Sequence, residues 1–171
     1  MSTTYPFSLP TAANVRVESR LRPEQVSPAF STNADLESDI ANRIAGKADV
    51  VYSKLKRAAA PYSWPYLDTQ VTQAYEDQVT ANAAIDTNEQ KDMASQAVDK
   101  YTLASLYGSA GQLNSAYWRR ADEYKVEADA IVAGIAEGIL FVKKILMIQD
   151  GRNAASSSNS STGSAAVVST W

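Results

Sequence analysis

The sequence predicts an all-α fold: a small bundle of about four helices with extended N- and C-terminal arms, the C-terminal one able to pair as a short strand. Three observations carry this expectation. Apolar residues recur at steps of three and four through most of 33–135. Hydrophobic content is 45%, much of it alanine, which suits close helix packing more than a bulky core. Both ends lack that periodicity: four of the six prolines (Pro6, Pro10, Pro23, Pro28) fall before residue 33, and 153–170 is a Ser/Ala-rich run.

Residues 1–32 read as an arm, because proline cannot donate the amide hydrogen bond that helices and ladders require. A short helical turn fits near Arg20–Gln25. Ser31-Thr32-Asn33 then supplies N-cap side chains, with Asp35 and Glu37 in the first turn. Leu36, Ile40, Ile44, Ala48, Val51 and Leu55 form one stripe, so a helix runs to about Ala59 and stops before Pro61. Pro61 to Tyr66 is an aromatic loop. Residues 69–84 hold only Val71, Tyr75 and Val79 at weak spacing and read as a polar helix or an insertion.

Asp86-Thr87-Asn88, with Glu89 and Gln90, begins the next helix. Met93, Ala97, Val98, Tyr101, Ala104 and Tyr107 share a face, and Gly108 and Gly111 stop it. Asn114-Ser115 starts a further helix with the stripe Tyr117, Ala121, Tyr124, Ala128, Ile131 and Ile135. Gly134 and Gly138 are expected to end it. The β-branched and aromatic residues of 139–148 favour extended structure, and Asp150-Gly151 reads as a turn. The organisation expected is therefore an N-terminal arm over 1–32, a helical domain over 33–138 with an insertion at 66–85, and a C-terminal arm and tail over 139–171.

The chain has 171 residues and a net charge of −3, with neither histidine nor cysteine. These absences remove the commonest general base, the thiolate nucleophile and the usual zinc and iron–sulfur ligands. No enzyme activity, cofactor or metal is expected. Without a basic run, broad attraction to nucleic acid is not expected either. Residues 1–10 lack the basic and apolar regions of a secretory signal. The most apolar stretch, Ile131–Ile148, is interrupted by Glu137, Lys143 and Lys144, well short of the roughly 20 apolar residues of a membrane span.

Three motifs invite chemistry and decline it. Gly46-Lys47 has no glycine five residues earlier and no Ser/Thr after the lysine, so it is not a phosphate loop. Asp35/Asp39 and Glu123/Glu127 share helix faces, where paired carboxylates are ordinarily solvated charge. Gly108-Ser109-Ala110-Gly111 is not a nucleophile elbow.

Interaction residues are easier to nominate. Trp118, Arg119 and Arg120 project around a helix, and Trp and Arg are favoured interface anchors. The alternative is that Trp118 caps the domain's own core while the arginines pair with nearby carboxylates. Tyr62, Trp64 and Tyr66 either close the bundle or form a knob for a neighbour. Tyr5 and Phe7 in the first arm, and Val167, Val168 and Trp171 in the tail, are expected to dock on other chains.

The order of elements resembles the phage head–tail connector, or adaptor, family: small α-helical ring proteins beneath the portal. Three stretches carry the likeness: Asp35-Leu36-Glu37-Ser38-Asp39-Ile40 through Leu55 with its Pro/aromatic loop; Tyr101-Thr102-Leu103-Ala104-Ser105-Leu106-Tyr107; and Tyr117-Trp118-Arg119-Arg120-Ala121-Asp122 to Ile135. They span roughly residues 31–138. The segment from Tyr66 to Ala84 and the long tail depart from the family pattern. The resemblance implies a dodecameric ring of identical chains between a portal protein and a tail or nozzle protein. Genome DNA would pass through the lumen without sequence-specific binding, with no membrane partner. Its place would be the virion's head–tail interface, after assembly in the host cytoplasm. A helical binding or regulatory module, docking through Trp118 and the tails, is the alternative.

Overall fold

A computed structural model of the chain describes residues 4–65, 87–112 and 114–159. The described residues are helical and contain no strand: α1 (Ala12–Ser19), α2 (Pro23–Val26), α3 (Asn33–Ala59), α4 (Thr87–Ala110) and α5 (Ser115–Asn159). The polar helix or insertion expected at 69–84 lies outside the described residues.

Helix α3 follows its sequence signals closely. The Thr32 hydroxyl accepts from the Asp35 amide at 3.2 Å, and the Asp35 carboxylate accepts from the Thr32 amide at 2.8 Å. These reciprocal bonds satisfy orphan donors of the first turn. The Thr32 hydroxyl bond, together with the Thr32 and Ser31 amides, holds the Asp35 carboxyl below its ordinary range. Leu36, Ile40, Ile44, Ala48, Val51, Leu55 and Ala59 are buried, which is the predicted stripe extended by one turn. Each large aliphatic among them contributes about 1.5–3 kcal/mol of burial.

Helix α4 is the central element, packed between α3 and α5 and also touched by α1 and α2. Its buried set is therefore wider than one stripe. Leu103 and Leu106 join Ala97, Val98, Tyr101 and Tyr107 inside, while Met93 is only partly buried. Thr102 is buried as well, and its hydroxyl donates to the Val98 carbonyl at 2.8 Å. A local bond of this kind lets a hydroxyl sit in an apolar centre.

Two sequence expectations are corrected. The arm expected over 1–32 is, in its described part 4–32, not an extended arm free of the domain: α1 and α2 pack on α3 and α4. Phe7, Val15, Leu21 and Val26 are buried in the common core, and an Arg16–Glu37 ion pair at 2.7 Å ties α1 to α3. Thr11 caps α1 through its hydroxyl, and Arg20 ends it in the left-handed region at φ 54°. The chain reverses there and drives Leu21 into the core.

The second correction is at the C-terminal side. Gly134 and Gly138 do not end α5, 139–148 is not a strand, and Asp150-Gly151 is not a turn. All lie within one helix that runs to Asn159. A glycine costs a helix about 1 kcal/mol relative to alanine, and β-branched residues lower the propensity slightly. Burial of Ile135, Ile139, Val142, Ile145 and Leu146 at helical spacing outweighs both terms. Among the core residues expected from periodicity, Ile44, Val51, Val98 and Tyr101 are buried, and Tyr124 and Ile131 are partly buried.

Candidate interaction surfaces

The aromatic residues nominated at the two sides of α3 belong to one cluster within the chain. Phe7 packs against Tyr5, Trp64 and Tyr52, with ring centroids 5.6, 6.1 and 6.4 Å away. Tyr5 donates to the Asp49 carboxylate at 2.7 Å. The Trp64 indole N–H donates to Gln90 Oε1 at 2.9 Å, which gives both buried polar groups a partner. Tyr62 donates to Asp150 at 2.5 Å; that bond comes first among the causes that raise the Tyr62 phenol above its ordinary value. Phe7 and Trp64 are therefore core residues of this subunit, not docking knobs. Tyr66, Val167, Val168 and Trp171 lie outside the described residues.

Trp118, Arg119 and Arg120 separate at the start of α5. Trp118 is 51% exposed, and its indole lies flat against Gly111 at the α4–α5 turn. A Cβ on Gly111 would sit 2.6–2.8 Å from the ring, so the missing side chain is what admits it. Trp118 also lines a groove of about 330 Å³ between α3, α4 and α5, with Val50, Tyr101 and Lys125 among others. Arg119 lines a shallow surface with Asp122, Glu123 and Val126. Arg120, though exposed, reaches across to Tyr107: its guanidinium lies over the ring at 5.7 Å and donates to the hydroxyl at 3.1 Å. That hydroxyl donates in turn to the Ser19 carbonyl at 2.7 Å, so one buried phenol links α1, α4 and α5.

Several polar side chains that periodicity does not flag join the elements. Arg43 pairs with Asp39 at 2.6 Å and donates to the Ser105 carbonyl and to the Ser105 and Ser109 hydroxyls, clamping α3 to α4. Lys54 donates to the Tyr101 hydroxyl at 2.9 Å, and Tyr101 donates to Asp129 of α5. The Tyr101 bond holds the Asp129 carboxyl low, and it leads the causes that raise Lys54, so both remain charged. Under the end of α1, Lys100 pairs with Glu18 at 3.0 Å beside Asp99. Burial first, then the Glu18 charge, pushes the Asp99 carboxyl up to about 6, despite Lys100 4.0 Å away. Glu123 and Glu127 line the adjoining pocket of about 470 Å³ with Glu18, Arg20 and Arg120. Among the described residues no group of three or more acidic side chains is placed to hold a metal. Nor is any described helix long and apolar enough to cross a membrane.

One apolar surface feature was not anticipated from the sequence. On the outer face of α5, Leu140, Phe141, Met147 and Ile148 are 53%, 37%, 59% and 46% exposed. The signal was present in their spacing, since i, i+1, i+7 and i+8 fall on one face of a helix. Reading 139–148 as extended scattered these side chains over two faces. No protein-family model, curated protein or solved structure matches this chain.

Proposed function

We propose that this protein is a structural virion subunit, a head-to-tail adaptor. In this reading its copies form a ring that joins a portal protein to the tail and lets genome DNA pass through the lumen. The observation that carries the reading is the double apolar character of α5 over 139–148. One face is buried in the subunit and the other is open. A helix that is hydrophobic all round is ordinarily a buried helix, so a neighbouring chain would complete its burial. With 45 residues, α5 is roughly 68 Å long at 1.5 Å per residue, a rod long enough to connect layers of an assembly. The net charge of −3 suits a lumen that duplex DNA slides past without being held.

Ring closure needs heterologous contacts, two different patches on each copy. The Trp118 groove is a second candidate patch, with an aromatic anchor beside Val50, which is 45% exposed. Immunogold electron microscopy of the parent particle tests the proposal. Label confined to the head–tail junction is expected. Label on the capsid or tail tip, or absence of the chain from purified particles, would rule it out.

A further inference from the structure

We infer that the free subunit pairs with a second copy of itself through the outer face of α5, with the two helices antiparallel. The face is a heptad seam. Val126, Ala133, Leu140 and Met147 recur every seventh residue, and Ala130, Glu137, Lys144 and Gly151 form the column beside them; all eight are exposed. Alternating steps of four and three over this length are the spacing of a two-helix seam.

The seam has a direction in both size and charge. Beyond Val126 at its start, its N-terminal half is small: Ala130, Ala133 and Gly134. Its C-terminal half is bulky: Leu140, Phe141, Met147 and Ile148. Among the described residues, neither Glu137 nor Lys144 makes an ion pair within the subunit. A parallel, in-register pair would set bulky side chains against bulky ones and leave the small halves apart. It would also face Glu137 with Glu137 and Lys144 with Lys144. An antiparallel pair centred near Leu140–Phe141 seats the bulky Met147 and Ile148 of each helix over the small Gly134 and Ala133 positions of the other. It brings Glu137 within a turn of Lys144 of the partner subunit, twice by symmetry. The same residues therefore select both the occupant and its orientation.

Such a contact is isologous and closes on itself, so it describes the free subunit and not the ring. It does not depend on the adaptor reading. Holding the apolar face covered before assembly would also limit non-specific association.

Sedimentation equilibrium on the purified full chain, over a concentration series, tests the inference. Wild type is expected at twice the 18.5 kDa of one chain. Glu137→Lys and Lys144→Glu, each at an exposed position, should weaken the pair by on the order of tenfold or more, because each creates two like-charge contacts. Far-UV circular dichroism should remain unchanged. The double variant Glu137→Lys/Lys144→Glu should restore pairing, since the exchanged charges again meet their opposites. A monomeric wild type would overturn the inference, whether another protein or the rest of the chain covers the face. So would a pair indifferent to both single swaps, or a double variant that stays weak. A ring-sized particle would overturn the pairing while leaving the adaptor reading intact.

Discussion

Replacing Tyr107 by Phe removes one oxygen from the point where three helices meet. The residue is 2% exposed, and its hydroxyl both donates to the Ser19 carbonyl at 2.7 Å and accepts from Arg120 at 3.1 Å. Ser19 is itself 1% exposed, so its carbonyl has no ready route to water. An orphaned buried acceptor costs about 1–3 kcal/mol, whereas the exposed Arg120 guanidinium regains solvent at little cost. The phenyl ring keeps its stacking on Tyr124 and its tilted contact with Tyr117, both at 5.7 Å, so packing is nearly unchanged. The expected loss is therefore about 1–3 kcal/mol, read from urea denaturation with an unchanged m value. Tyr117→Phe is the matched control. Its hydroxyl accepts one bond, from Gln25 at 3.1 Å, in a part-buried setting, and its removal should cost less than about 1 kcal/mol. Because the lost bond anchors the end of α1, amide exchange over Ala12–Ser19 should accelerate more in Tyr107→Phe than in the control. Equal stability losses for the two variants would refute the reasoning, since the argument rests on burial of one hydroxyl and not the other.

Three further outcomes are expected. With its folded value raised from 3.8 to about 6, Asp99 stays protonated in the native state where the unfolded chain has released its proton. Stability from this group is thus full below pH 3.8 and is lost as pH rises through about 6. Asp99→Asn should flatten that slope and add roughly 1–2 kcal/mol at pH 7 after discounting for partial solvent access, as measured by urea midpoints at pH 5 and 7. Ile44→Ala should cost about 2–5 kcal/mol in the same assay, because the side chain is buried on the α3 stripe; a change within 0.5 kcal/mol, typical of surface sites, would contradict that placement. Gly111→Ala should destabilise by about 1–3 kcal/mol through the Trp118 ring and be nearly neutral in a Trp118→Ala background, a double-mutant cycle that isolates the contact.

The sequence by itself determined the helical class, the start and buried stripe of α3, and the presence of α4. Those features rest on local chemistry: a Thr32–Asp35 capping box, apolar residues three and four apart, and a proline beyond the last turn. It nominated Trp118, Arg119 and Arg120 either as interface anchors or as cover for the domain's own core without deciding between the two, and it showed neither the glycine beneath Trp118 nor the bond from Arg120 to Tyr107. The tertiary structure decided what depends on a second element. Proline-spotted residues 4–32 read as an arm because local propensity is all they display alone, yet Phe7, Val15, Leu21 and Val26 find burial against α3 and α4. The glycines and β-branched residues of 134–148 argued against a helix, and packing of Ile135, Ile139, Val142 and Leu146 overrode them. Once that segment is helical, Leu140, Phe141, Met147 and Ile148 must share its outer face, and an interaction surface emerges. The physical reason is one of scale. A propensity difference is a few tenths to about 1 kcal/mol per residue, and a buried aliphatic side chain is worth about 1.5–3, so long-range burial wins wherever the two disagree.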